Sequence, residues 1–513
     1  MGKNLKLYGF GTVLIIYPLL FYIANNTQRF ELPEVLVTLG LLIASNLFVF
    51  GFMQMILTKL GMSNSMYVKI CTGLLLLLWL IMMKPAIYEN PELYYVASFI
   101  INFNVHKFII YAVCGALVFA LGFFLISQNL GFFLGLCGIL NLWNITHALA
   151  FPTRPYSKSP TPEEQTVAIK NKKNIFFILT DSLTNEQGMD RIGIKEETKP
   201  FFDKFKKNGF TVYSDFYTSL QPTINALYTY IAMSYKQAGQ IAYRTEMFHG
   251  NDILNDGKFY HILRKNGYSI NIVHDANFFG SQFCSADLCY FRDQQSNRTL
   301  KTRVAGIIHF LLPRVITTKV DLFCDPTIKT ESTREASFFS NKLADQVYLK
   351  TPNFTYIHAF SLPGHTGIDI STIDHCNEQA EIKKYLGRIK LTEEFVWSTI
   401  QTIQARDKNA LIIVAGDHGP YILRQCTRKG IDKNDQIMER QGAFLAILWG
   451  DDYIGTYDSK IKSSHNLFRY ILSYLAGNEE LLLHKEKDNA YTYTNRFRKI
   501  TLTMQDGVPR LPK

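Results

Sequence analysis

The sequence predicts two parts of different class, an N-terminal membrane domain of five helices and a C-terminal α/β domain built on a mainly parallel sheet. Three observations predict this. Up to about Phe151 the chain is dominated by Leu, Ile, Phe, Val and Gly, and beyond it the composition turns to mixed charge. Between the halves stand Pro152, Pro155, Pro160 and Pro162 with Ser and Thr among them, the composition of a linker. Past the linker, short apolar runs alternate with amphipathic stretches, as in a parallel sheet covered by helices on both faces. The expected boundaries are 1–151 for the membrane domain, 152–173 for the linker and 174–513 for the α/β domain.

Five apolar stretches carry the membrane prediction: Leu7–Ala24, Pro33–Leu57, Tyr67–Met83, Phe108–Ile126 and Leu130–Phe151. Each falls within the roughly 17 to 25 residues that a helix needs to cross a bilayer. The first lacks a small-residue cleavage site and reads as an anchor rather than a removable signal. Lys3, Lys6, Lys59 and Lys69 flank the early spans, which places the N-terminus in the cytoplasm and, after five crossings, the large domain on the other side. The aromatic segment Lys84–Lys107 reads either as an interfacial helix or as a plain connection.

In the second part the runs at 174–180, 268–274, 354–360, 410–415 and 443–449 read as buried strands, and Val212–Tyr217 as a further one. Lys199–Lys207, Glu378–Ala405 and Asn466–Ala476 read as helices. The net charge of +11 suits an anionic lipid surface beside a membrane anchor. No zinc-finger, RNA-binding or recognition-helix pattern accompanies it, so no nucleic-acid partner is expected. Of the eight cysteines, Cys284 and Cys289 lie close together in the polar loop F-C-S-A-D-L-C-Y and can close a small disulfide ring in an oxidising compartment.

Ligands gather at the C-terminal ends of strands in open parallel sheets. Asp181 follows the strand 174–180, Asp417 and His418 follow 410–415, and Thr223 follows Val212–Tyr217 across Pro222. Asp, Asp and His make a ligand set that zinc or manganese accepts. Thr223, where a helix begins, sits beside free N–H groups and the positive end of the dipole, a setting for a nucleophile that meets phosphate. A bound ion would help such a hydroxyl toward its alkoxide. Each residue also has a structural reading: Thr223 and Asp181 as helix caps, D-H-G as a turn. His365 in S-L-P-G-H-T-G is placed to act as acid, base or phosphate grip, while His358 inside its strand reads as a core residue. His274 and Asp275 end another strand, His375 and His465 have no spacing that assigns them, and Arg424, Arg428 and Lys429 either bind phosphate or form a solvated basic turn.

The stretches N-I-F-F-I-L-T-D-S, F-Y-T-S-L-Q-P-T-I-N-A-L and V-A-G-D-H-G, following five spans, resemble the membrane-bound phosphoethanolamine transferases of Gram-negative envelopes, members of the alkaline phosphatase and sulfatase superfamily. The likeness is greatest to the branch that modifies the lipopolysaccharide core; lipoteichoic acid synthases share the same plan. The resemblance implies an alkaline-phosphatase-like fold for the second domain, with Asp181, Thr223, Asp417 and His418 as ligands of Zn2+, or Mn2+, and Thr223 as acceptor of the phosphoethanolamine group. It implies His365 near the substrate. The donor would be phosphatidylethanolamine, the acceptor an envelope glycan or glycolipid such as lipopolysaccharide core or lipid A, and the place a bacterial inner membrane with the catalytic domain in the periplasm. Two departures stand out: Asp181 replaces a more frequent Glu, and the stretch after D-H-G, P-Y-I-L-R-Q-C-T-R-K-G-I-D-K, lacks the family's further histidine. A phosphoglycerol transferase using phosphatidylglycerol and an inactive membrane scaffold are the alternative readings.

Overall fold

The structure, a computed structural model, describes residues 2–24, 32–83, 107–150, 167–221, 223–235, 257–275, 286–291, 304, 338–364, 378–425, 433–493 and 500–511. The chain divides into two compact units, Met1–Arg154 with Asn297–Asp325, and Pro155–Ser296 with Pro326–Lys513.

In the first unit, helices α1 (Gly2–Ala24), α2 (Leu32–Lys59), α3 (Asn64–Met82), α4 (Lys107–Phe124) and α5 (Leu130–Ala150) fall where the five spans were expected. Only one segment among the described residues, Val35–Lys59, is by itself long and apolar enough to cross a bilayer. Ala116–Gln128 and Leu130–Thr146 meet that standard only together and are bent by 107° at the break between them, while Leu5–Phe21 and Asn64–Leu80 are shorter apolar helices. Five helices thus stand where five crossings were read, and one of them carries by itself the length and hydropathy of a span. The helices pack through polar and small contacts: Asn46 Nδ2 donates to Thr12 Oγ1 at 3.1 Å, and Asn141 Nδ2 to the Val13 carbonyl at 2.8 Å. A Cβ at Gly122 would stand 2.8 Å from the Gly73 Cα, so α3 and α4 meet backbone to backbone, as small residues allow between helices in lipid.

The second unit is organised by a seven-stranded sheet of order β2-β7-β6-β1-β5-β3-β4. Its strands are β1 (Ile175–Asp181), β2 (Thr211–Val212), β3 (Ser269–His274), β4 (Leu288–Phe291), β5 (Asn353–Pro363), β6 (Leu411–Gly416) and β7 (Leu445–Leu448). The run β6-β1-β5-β3-β4 is parallel, and β7 is antiparallel to both β6 and β2, so the sheet is mixed with a parallel centre. Alternation explains why β1 is apolar throughout: Ile175, Phe177 and Leu179 join the core on one face, and Phe176 and Ile178 the core on the other.

One face is covered by α8 (Thr223–Ala232), α9 (Lys258–Lys265) and α14 (Ser464–Ala476), the other by α7 (Lys195–Lys207), α10 (Asn341–Val347) and α11 (Glu378–Gln404). A shorter helix, α6 (Glu186–Arg191), precedes α7, and α12 (Ile422–Gln425) and α13 (Asn434–Gln441) join β6 to β7. A second sheet of three strands, β8 (Asn489–Tyr493), β9 (Ile500–Gln505) and β10 (Val508–Pro509), was not anticipated. Two local expectations are corrected. The strand read over Val212–Tyr217 is continuous only at Thr211–Val212, with isolated bridges at Tyr217, and Cys289 lies in β4, not in a loop. Cys289 is disulfide-bonded; Cys284 lies outside the described residues.

His358 is fully buried in β5, its ring 5.1 Å from that of His274. Burial lowers its pKa to about 3, and does the same for His465 on α14. A folded-state pKa below the unfolded one gives stability that is complete above the unfolded value, near 6.5, and is lost as pH falls toward 3. Acidifying from pH 7 to 5 should therefore cost roughly 2 kcal/mol for each of these two groups. Urea unfolding of the protein at both pH values checks this, with a His358→Gln variant expected to lose about one His share of the difference.

Candidate active site and metal centre

β1 and β6 lie side by side with Thr180 opposite Gly416, so the next residues, Asp181 and Asp417, emerge together at the C-terminal edge of the sheet. Ser182 then turns the chain with a φ of 61°, a strained conformation for a residue with a side chain. The turn aims the Ser182 N–H at Asp417 Oδ1, 2.8 Å away, and leaves its carbonyl to accept from Tyr385 Oη at 2.8 Å. The His418 N–H donates to the same Asp417 oxygen at 2.7 Å, so that carboxylate is clamped by two backbone donors. Gly419 follows because a Cβ there would overlap the Glu439 carbonyl.

Thr223 arrives from a third direction. The segment before it is pinned by bridges from Tyr217 to Gly442 and Ser463 and from Leu220 to Tyr491, and Ser219 Oγ is hydrogen-bonded to His465 Nδ1. Thr223 is the first residue of α8, and its hydroxyl donates to Asp181 Oδ1 at 3.0 Å and lies 3.3 Å from His418 Nε2. The side chain thus reaches across to the sheet edge, where the cap reading would turn it back on its own helix.

Ligand atoms of Asp181, Asp417 and His418 lie within 4.8 Å of one another, and all three residues are buried. Asp417 Oδ2 has no hydrogen-bond donor of good geometry and faces His418 Nε2 at 3.3 Å. Burial, and after it the neighbouring Asp181 charge, push the Asp417 carboxyl far above its ordinary range. Two buried carboxylates, an imidazole and a hydroxyl converging in this way fit a divalent cation, which would satisfy the bare oxygen and neutralise the pair.

The structure therefore brings together Asp181, Thr223, Asp417 and His418. It sends others elsewhere: His358 and His274 are in the core, and His465 is buried behind the Thr223 segment. His365, His375, Arg428 and Lys429 lie outside the described residues, as does the side chain of Arg424.

Several groups at the site were not read from the sequence. Arg440, on α13, is almost wholly buried and lies against the His418 ring, with Nη1 3.0 Å from Nδ1 and Nη2 3.2 Å from Nε2. It donates from Nη1 to the Gly419 carbonyl at 2.7 Å and from Nε to Gln221 Oε1, and stacks on Tyr421. Next to it, Glu439 accepts from the Ile422 and Leu423 N–H groups, and burial raises its pKa to about 8. A charged dipeptide inside M-E-R-Q-G, immediately before an apolar strand, was the one available signal, and a solvated helix face would give the same pattern.

A sulfatase family model matches residues 173–477. Among solved structures, the periplasmic domain of EptC from Escherichia coli is similar over 66% of this chain and 95% of its own, at 14% identity and a TM-score of 0.41. The integral membrane lipooligosaccharide phosphoethanolamine transferase A of Neisseria meningitidis is similar over 93% of this chain and 96% of its own, at 10% identity and a TM-score of 0.38. The lipoteichoic acid synthase LtaP of Listeria monocytogenes is similar over 64% and 81%, at 11% identity and a TM-score of 0.35. No curated protein matches the sequence.

Proposed function

Because the chain belongs to the sulfatase family through residues 173–477, we propose that it is a membrane-bound phosphoethanolamine transferase working through a phospho-threonine intermediate. The observation that carries this reading is the Thr223 hydroxyl, set at the start of α8 and hydrogen-bonded to Asp181 at 3.0 Å beside His418. Asp181, Thr223, Asp417 and His418 would hold the ion, zinc or manganese, which when bound lowers the proton affinity of the hydroxyl and neutralises phosphoryl charge.

The chain's own groups do the rest. Thr223 Oγ1 attacks the phosphorus of phosphatidylethanolamine, an O–P bond to threonine forms, and the P–O bond to diacylglycerol breaks. Asp181 Oδ1 is the atom positioned to receive the hydroxyl proton, and His365 of the G-H-T loop supplies one to the departing diacylglycerol oxygen. The N-terminal end of α8 stabilises the charge on the phosphoryl oxygens. A hydroxyl or phosphate of an envelope glycan or glycolipid then displaces the phosphoethanolamine, and Thr223 regains its proton. Five apolar helices, with basic residues beside the first of them, support an inner-membrane domain at 1–151, a linker at 152–173 and a periplasmic catalytic domain at 174–513.

Intact mass spectrometry after incubation with phosphatidylethanolamine or phosphatidylglycerol tests the donor. A phosphoethanolamine adduct on Thr223 is expected from the first lipid alone. A phosphoglycerol adduct from the second would keep the nucleophile and change the substrate, and no adduct from either, with metal bound, would overturn the proposal.

A further inference from the structure

Ser219 precedes Thr223 by one helical turn of sequence, and its wholly buried side chain has no part in the steps above. The N-terminal turn of α14 holds it. Ser464 Oγ accepts from the Ser219 N–H at 3.0 Å and donates to the Ser219 hydroxyl at 3.1 Å, and that hydroxyl is hydrogen-bonded to His465 Nδ1. The same Ser464 Oγ lies 2.8 Å from Thr229 Oγ1 on α8, so one turn of α14 grips the chain on both sides of Thr223. β8 completes the grip: the Tyr491 N–H donates to the Ser219 carbonyl at 2.9 Å, and Gln221 Nε2 donates to Thr492 Oγ1 at 2.8 Å. The direction of the Ser219–His465 bond follows from its surroundings. His465 Nε2 faces the Lys487 carbonyl at 3.2 Å, and a carbonyl only accepts, so Nε2 carries the ring proton. Burial lowers the pKa of the ring to about 3 against the opposing pull of the Asp488 carboxylate, so the ring is neutral and its Nδ1 accepts from the Ser219 hydroxyl.

We infer that Ser219 and His465 are positioning residues of the nucleophile, their hydrogen bond fixing the chain so that the Thr223 hydroxyl meets Asp181 at reacting distance. The inference rests on the reading of Thr223 given above. A helix start does not hold its first side chain in place by itself, for the helix can slide or turn about its axis. A misplacement of about 1 Å costs up to ~10²-fold in rate. Two fixed points, one before Thr223 and one after it, stop both motions, and Ser219 and Thr229 are such points joined by one side chain. The turn that joins them is itself committed to this task. Ser463, the residue before α14, makes no side-chain cap for its own helix; its hydroxyl donates to Asp488 Oδ1 at 2.5 Å, and Asn466 Nδ2 donates to the same oxygen and to the Glu486 carbonyl, both at 2.8 Å. A buried polar network satisfied in this way is rigid, since distorting it strands polar groups away from water.

Rapid-quench intact mass spectrometry of the full-length protein in detergent, over a range of phosphatidylethanolamine concentrations and without acceptor, reads the rate constant of adduct formation separately from its amplitude. A merely structural role lowers the amplitude, because fewer molecules are folded, and leaves the rate constant unchanged. Ser219→Ala is expected to lower the rate constant at least about tenfold, with the half-saturating donor concentration within about threefold of wild type. His465→Leu should do the same, and His465→Asn, whose amide oxygen offers an acceptor in place of Nδ1, should restore most of the loss. The double variant Ser219→Ala/His465→Leu should be no slower than the slower single one, since both remove the same bond. Near-ultraviolet circular dichroism confirms folding, and Ser219→Ala, the smaller change, carries the test if His465→Leu does not fold. A smaller loss of rate constant in folded Ser219→Ala overturns the inference, as does a His465→Asn variant as slow as His465→Leu or a double variant whose loss is the product of the single ones. A wild type that forms no adduct would instead overturn the reading of Thr223, and the inference with it.

Discussion

Thr223→Ala should lower turnover by at least about 10³-fold and abolish the covalent adduct, while Thr223→Ser should keep both within about tenfold. The separation between these variants is what distinguishes a nucleophile from a helix cap. Loss of a cap costs about 1 kcal/mol of stability and leaves chemistry intact. In the structure the Thr223 hydroxyl is directed to Asp181 and His418, so Ala should affect chemistry far more than stability. Measuring turnover and the unfolding midpoint on the same preparations resolves the two. Equal turnover in the Ala variant would remove Thr223 as the nucleophile, and full biological function in an Ala variant without turnover would support the scaffold reading.

Removing the ion and removing Asp417 should have opposite effects on stability. Chelation of wild type is expected to abolish activity and to lower the melting temperature, since a ligand bound only to the folded state stabilises it by mass action. Asp417→Asn should weaken zinc binding by at least about 100-fold, because a neutral amide replaces a charged ligand. In the metal-free state, however, the Asn variant should melt above wild type. The Asp417 carboxylate is buried within 4.8 Å of Asp181's ligand atom, and its elevated pKa means that its charge destabilises the folded state at neutral pH. Differential scanning fluorimetry with and without zinc reads both signs; a metal-free Asn variant less stable than wild type would count against the repulsion.

Much of the sheet was legible because a fully buried parallel strand is an almost continuous apolar run: Ile175–Leu179 and Leu411–Ala415 are uninterrupted, and Phe354–Phe360 is broken only by Thr355 and His358. The site was legible for the same reason. Once a strand is placed, the residue at its C-terminal end is a candidate, and Asp181 and Asp417 both stand there. What escaped was structure without periodicity. Val212–Tyr217 reads as a strand, yet beyond Val212 the segment up to Gln221 is held by isolated bridges and by the contact of Ser219 with His465, 246 positions away. Arg440 escaped because its meaning depends on Gln221, 219 positions distant, and on His418, neither of which leaves a mark on local pattern. The five spans were legible as five helices, but hydropathy records apolar length and is blind to the bend of 107° between Ala116–Gln128 and Leu130–Thr146.

β1 is hydrogen-bonded on both flanks, to β5 and to β6, from Ile175 to Thr180. Amides at such a position exchange with solvent only when the whole sheet opens, at the full free energy of unfolding. Asp181 is the next residue along that strand, so one wall of the site is fastened to the part of the domain that opens last. Fraying of peripheral elements such as the C-terminal three-stranded sheet would leave that wall standing, and heat inactivation that follows its loss should track global unfolding.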